Sequence, residues 1–410
     1  MKRRQPIQLV ALLAMSLAWQ AMPSLEVNAA SFSFTSVGHL DGGPAYSQAY
    51  AVSGDGTVVV GRAATSNGVV AFRWTAIEGM SSLGDLPGGA IDSQALALSH
   101  DGSVVAGVSK SANGSEAFRW TATDGMVGLG DLPGGTFNSE ARGVSADGKI
   151  VFGSGNSKSP GPGVQGFSWT TQNGLVALPN LPTQGYDNYI RSVSADGKAA
   201  TGIASTVVPG VAFRWTQSAG LVGLGSFSGP TNFTFAEDIS ANGDVIVGWA
   251  SGVDFGHHAF RWTAGEGLVR LVEPAVPSVG SEAWATSGDG SVIVGMTFTP
   301  DPMSGDVFYW ASSLGMRSLK QLLLDHGVSE VAGWQLIAAR GISDDGRTIA
   351  GIGIYNNQEL GWVATVPEPS TGALAALAFV VCGLSRVLRA KSLRPRHRDP
   401  LVNKPMGRQE

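Results

Sequence analysis

Three residues ahead of a recurrent turn serine, the chain carries Tyr50, Leu96, Arg142, Arg191, Glu237, Trp284 and Arg340, while the residues around them stay small or aliphatic. A position that varies inside a fixed frame is where a ligand surface is expected, because sites are grafted onto scaffolds. Tyr50, Arg142, Arg191, Glu237, Trp284 and Arg340 are therefore the candidate ligand-binding residues. Their chemistry is charge and stacking. Glycoside hydrolysis needs two carboxylates across one bond, and this set offers only Glu237. His257-His258 sit in a Gly-rich stretch without a third ligand at metal spacing and are expected to be exposed. The Ser-x-Asp-Gly segments lack the alternating carboxylates and terminal Glu of a calcium loop, so they are expected to be turns. No catalytic residue, metal or cofactor is expected.

What positions these residues is an internal repeat. Ala71-Phe-Arg-Trp-Thr75 returns as Ala117 to Thr121, Ala212 to Thr216 and Ala259 to Thr263, with drifted copies at Gly166 to Thr170, Val307 to Ala311 and Leu360 to Ala364. The tryptophans at 74, 120, 169, 215, 262, 310 and 362 are 46, 49, 46, 47, 48 and 52 residues apart. Such a period favours one large repeat unit over several domains. Within it, Ser47 to Ser53 reads as a first strand, Thr57 to Gly61 as a second, Val69 to Thr75 as a third and Met80 to Leu86 as a fourth. The pairs at Asp55-Gly56, Asp101-Gly102, Asp147-Gly148, Asp196-Gly197, Asn242-Gly243, Asp289-Gly290 and Asp345-Gly346 predict hairpins with positive φ at both turn residues. A further glycine, at 61, 107, 153, 202, 248, 295 and 351, follows each turn glycine by five residues and implies a bulge or a close backbone approach.

Six complete units and a seventh of three strands, preceded by the strand at Phe32 to Leu40, give twenty-eight strands. The first strand of the chain supplies what the last unit lacks. The expected fold is all-β, a seven-bladed β-propeller of four-stranded antiparallel blades closed by the N-terminal strand, with an open β-solenoid as the alternative. The two-residue period puts Phe72 and Trp74 on one strand face, as a core pair between blades, and Arg73 on the other. Arg73, Arg119, Arg214 and Arg261 are expected to pack along their stems and hydrogen-bond between blades.

Lys2-Arg-Arg4, the apolar run from Ile7 to Trp19 and the small residues of Val27-Asn-Ala-Ala30 have the order of a secretory signal over 1–30. Between residues 31 and 384, 16 basic residues stand against 29 acidic ones, about −13, which argues against a nucleic-acid partner. The single cysteine, Cys382, excludes a disulfide framework. After residue 365 come Val366-Pro367-Glu368-Pro369, an apolar run, and a basic tail at 389–410. The run of 13 apolar residues is short of the ~20 that span a bilayer, although a snorkelling Arg386 extends it into a short transmembrane segment over 371–388. Basic residues after it stay cytoplasmic, leaving the repeats outside.

The combination of Ala-Phe-Arg-Trp-Thr, Gly-Met-x-x-Leu-Gly-Asp-Leu-Pro-Gly-Gly and Ser-x-Asp-Gly-x-x-Val-x-Gly resembles the HAF family of extracellular repeats, from residue 32 to about 365. That resemblance implies export and repetition and carries no enzymatic activity. The Val-Pro-Glu-Pro box at 366–370, followed by the apolar run and arginines, resembles the PEP-CTERM sorting signal. It implies an integral-membrane exosortase as partner and a host that makes extracellular polysaccharide.

Together these features lead to the expectation of an exported, non-enzymatic surface or matrix protein. It would associate with exopolysaccharide or a partner protein and be anchored, at least transiently, through its C-terminus. The alternative is a secreted propeller-type glycan-active enzyme with Glu237, Arg142, Arg191 and Arg340 at its central channel.

Overall fold

The computed structural model describes residues 31–158, 163–179, 187–205, 210–227, 233–251, 256–273, 280–299 and 305–367. The expected signal at 1–30, Glu368 and Pro369 of the sorting box, the apolar segment at 371–388 and the basic tail lie outside the described residues. Among the described residues no helix is long and apolar enough to cross a membrane.

The architecture is an all-β, propeller-type stack of four-stranded antiparallel meanders. In the first full repeat Ser47–Val52, Val58–Ala64, Val69–Thr75 and Gly79–Gly84 pair in chain order. Four sheets of this size stand alone, and a twelve-stranded sheet joins three more meanders. The joins are single parallel bridges, Val69 to Asp92 and Ser115 to Asn138. The first strand of the chain, Ser33–Gly38, pairs with the last, Gln358–Thr365, as expected from the missing strand of the final unit.

The turns form for a reason that differs from the expected one. Gly56 takes φ +75°, but Asp55 does not join it in the left-handed region, and the same holds at the other six Asp-Gly and Asn-Gly pairs. The aspartate acts through its side chain instead. Its Oδ1 accepts the Ser53 hydroxyl at 2.6 Å and the Thr57 amide at 3.0 Å, while Ser53 Oγ accepts the Val58 amide at 2.9 Å. The serine is thus as much a part of the turn as the glycine. A turn with two positive-φ residues occurs at Asn356-Asn357 (φ 50° and 60°), between the last two strands.

The strand glycines behave as expected from a close backbone approach. A Cβ on Gly61 would run into the carbonyl oxygen of Gln48, and the equivalent clash recurs at Gly107, Gly153, Gly202, Gly248, Gly295 and Gly351. Each of these glycines also lies opposite a third-strand aromatic: Gly61 faces Phe72, Gly107 faces Phe118 and Gly202 faces Phe213. The absent side chain leaves space for the ring, and Phe72, Phe118, Phe167, Phe213 and Phe260 are fully buried.

Two aromatic expectations need correction. The Phe–Trp pair is not an equal core pair, because Trp74, Trp120, Trp169, Trp262 and Trp310 are only half-buried at the margin of the clusters that enclose the phenylalanines. In the last repeat the register moves the motif by two residues. Gly351 faces Trp362, so Trp362 holds the phenylalanine position and Ala364 the tryptophan position. Trp362 is accordingly fully buried, in contact with Phe34 of the first strand at a centroid distance of 5.9 Å.

One element was not foreseen. The wide spacing before the last repeat holds a helix, Leu319–Asp325, capped by the Ser318 side chain, with Leu319 and Leu323 buried against the final sheets.

Candidate functional site

The first strand of each repeat carries two devices. The first is a buried anchor. Ser93 Oγ accepts the amide of Ala71 in the preceding repeat at 2.8 Å and donates to Gly84 O at 2.7 Å. Ser139, Thr234 and Ser281 accept from Ala117, Ala212 and Ala259 in the same manner, and the Asn188 side-chain oxygen accepts from Gly166. Ser47 accepts from Gly361, in the last repeat, at 3.0 Å.

The second device is a β-bulge three residues further on. The pairing of the first two strands slips between Ala49 and Ala51, between Ala95 and Ala97, and between Ala141 and Gly143. It slips likewise around residues 191, 237, 284 and 340. The extra residue in each slip is Tyr50, Leu96, Arg142, Arg191, Glu237, Trp284 or Arg340. A bulge leaves its extra residue unpaired and re-aims the side chain. The non-repeating position of the sequence is therefore the bulged position of the structure, and all seven residues line one cavity of about 210 Å³.

Inside it the charges are unequally compensated. Arg142 Nε meets Glu140 Oε1 at 2.7 Å, and Arg191 Nε lies 3.7 Å from Glu237 Oε2. Arg340 has its guanidinium carbon 3.3 Å from the centre of the Trp284 ring, and neither Arg340 Nε nor Trp284 Nε1 finds a hydrogen-bond partner among the described residues. Enclosure pushes Glu237 above the usual carboxylate range despite Arg191, Arg142 and Arg340 nearby. Burial also lowers Arg340 to about 10, against the opposing pull of Glu237, Tyr50 and Glu282. Tyr50, whose hydroxyl donates to Gln48, is raised to about 12 by burial.

Residues unmarked in the sequence frame the cavity. His100 Nδ1 and Asp344 Oδ2 meet at 2.8 Å at its rim, passing over Gly54, where any side chain would collide with both. Backbone bonds link these turns in succession: His100 N to Ala146 O, Ala146 N to Ala195 O, Ala195 N to Ala241 O, Asn242 N to Gly288 O, Gly288 N to Asp344 O, Asp344 N to Gly54 O and Asp55 N to His100 O. Asp238 follows Glu237 in sequence, and its carboxylate accepts Ser192 Oγ at 2.6 Å and the Thr286 amide at 2.8 Å, tying three repeats together. Only the turn serines gave any sequence hint of this rim.

The histidine expectation is half wrong. His257 and His258 open the strand His257–Thr263; His257 is exposed, but His258 is buried with its ring nitrogen 3.0 Å from Glu273. Strand alternation turns neighbours to opposite faces, so a His-His pair cannot be exposed at both positions here. Among the described residues no group of three or more His, Cys, Asp or Glu is placed to hold a metal ion. Of the repeat arginines, Arg73 and Arg214 reach the next repeat's turn, at Gly102 O and Gly243 O, 3.5 and 3.1 Å away, as expected for packing residues. Val366, the first residue of the expected sorting box, is buried, its amide donating to Arg347 O at 2.8 Å.

No family model and no curated protein matches the chain. Solved structures do. An oligogalacturonate lyase from Vibrio parahaemolyticus is 9% identical with a TM-score of 0.51, over 83% of this chain and 98% of that one. A prolyl endopeptidase is 10% identical with a TM-score of 0.50, over 90% of this chain and 57% of that one. TolB from Acinetobacter baumannii is 14% identical with a TM-score of 0.43, over 66% of this chain, which spans 62% of that protein. At such identities a likeness speaks for fold alone.

Proposed function

We propose that the chain is an exported, non-enzymatic binding scaffold, a seven-bladed propeller closed on itself, that holds a glycan ligand at its central cavity and is sorted through its C-terminus. The observation that carries this reading is the set of seven bulges, which deliver tyrosine, leucine, arginine, glutamate and tryptophan side chains into one cavity from an otherwise repeated frame. Closure, as against an open solenoid, is supported by the pairing of Ser33–Gly38 with Gln358–Thr365 and by the Asp344-to-Gly54 bond that follows the other turn-to-turn bonds.

A binding role is favoured over turnover by the state of the carboxylates. Glu237 faces Arg191, and Asp238 is held by Ser192 and Thr286, so neither is presented as a free acid–base pair across one bond. Export, an exosortase-type partner and association with exopolysaccharide rest on the terminal sequence patterns. The test is a polysaccharide binding and depolymerisation screen on the purified full chain. Binding without depolymerisation is expected. Depolymerisation abolished by Glu237→Gln would establish the enzyme instead, and an absence of binding to every glycan would overturn the scaffold reading.

A further inference from the structure

Each arginine in the cavity can be asked what neutralises it. Arg142 has Glu140 and Arg191 has Glu237. Arg340 has no ion-pair partner among the described residues; it rests on Trp284, which fixes the plane of the guanidinium but supplies no acceptor. A desolvated cation is strongly disfavoured without a counter-charge, and a ring face compensates only part of that cost. The donors that remain form a flat fork, the shape that a carboxylate matches with two parallel bonds.

The surroundings narrow the ligand further. Three arginines in the ring stand against Glu237 within it and against Glu140 and Glu282 beside it, so one negative charge is tolerated better than the two of a phosphate monoester. Tyr50 shares the cavity, and its hydroxyl is donated to Gln48, leaving the oxygen as an acceptor toward the ligand's polar groups. At about 210 Å³ the space is below the ~300–1,000 Å³ of sites for drug-sized molecules. It admits one small unit, such as the end residue of a chain.

Resting on the proposed central binding site, we infer that this site selects an acidic sugar unit, whose single carboxylate is taken by Arg340 on its Trp284 platform. A neutral sugar of the same size lacks the charge that the site is short of. The ligand's carboxylate completes the hydrogen bonding of Arg340, and its ring hydroxyls meet the polar groups opposite.

The experiment titrates the purified full chain with glucuronic acid, glucose and inorganic phosphate by calorimetry, at low and high salt. Glucuronate binding at one site, at least 10-fold tighter than glucose and weakened by salt, is expected. Arg340→Met should remove that preference with little change in melting temperature, and Arg340→Lys should restore only part of it. Equal binding of glucose and glucuronate would overturn the carboxylate assignment while leaving a central glycan site standing. So would glucuronate binding that survives Arg340→Met, or tighter binding of phosphate. If polysaccharides fail to bind as well, the underlying scaffold reading falls with it.

Discussion

The hydroxyl of Ser47 accepts the amide hydrogen of Gly361 at 3.0 Å, across 314 residues of sequence, and donates to Gly38 O at 2.6 Å. One buried side chain thereby ties the first full repeat to both partners of the terminal strand pair. Removing it leaves an unsatisfied amide and carbonyl, at a cost of about 1–3 kcal/mol. Ser47→Ala should therefore lower stability by that amount in urea unfolding, and Ser93→Ala should do the same within the chain. Deletion of residues 31–40 should cost more, because it strips Phe34 from Trp334 and Trp362 as well. An unchanged unfolding midpoint for the deletion would count against closure.

Glycine in the second strand makes a sharper case. At Gly202 a methyl group would meet the Tyr189 carbonyl oxygen, and backbone cannot rotate away as a side chain can. Gly202→Ala should destabilise by ~3 kcal/mol, the upper end of what overpacking and backbone shift cost. A surface control is Gly265→Ala, where nothing lies within 4 Å and little change is expected. Comparable unfolding midpoints for the two variants would show that the strand relaxes around the added carbon.

How much of this was legible in the sequence follows from what period and spacing encode. Strand order and the terminal pairing followed from counting, since a repeat that starts with its own last strand has one partner left. The bulge was legible only in part: the glycine five residues past each turn, which implies a bulge or a close backbone approach, lies beside it, but the residue that the slip frees is marked only by the failure of residues 50, 142 and 340 to repeat. Trp362 misled for a related reason. Matching letters set it beside Trp74, whereas counting eleven residues from Gly351, as from Gly61 to Phe72, gives the true register. The helix at Leu319–Asp325 belongs to one interval alone, so no periodicity announced it.

The sorting reading predicts a change in both mass and location. Pro367→Ala with Glu368→Ala should leave an unprocessed chain that stays in the membrane fraction, whereas the parent chain loses its tail. Mass spectrometry of the fractionated protein decides this, and identical masses and locations for the two would sink the exosortase assignment.

Asp238 supplies a dependence on pH. Its carboxylate accepts Ser192 Oγ, the Thr286 amide and the Ile239 amide, which favour the charged form, yet enclosure outweighs them and raises it from 3.8 to about 6. A carboxyl group that holds its proton more tightly when folded contributes stability that is complete below the unfolded value of 3.8. That contribution drains away as pH rises toward 6 and is gone above it. The 2.2-unit difference between 6 and 3.8 corresponds to at most about 3 kcal/mol. Asp238→Asn carries no such proton, so the stability of the parent chain relative to this variant should fall between pH 4 and pH 6.5 and then level. Urea unfolding of both proteins in half-unit steps measures the difference directly. Parallel profiles would mean that the three hydrogen bonds, not the enclosure, set the charge on this residue.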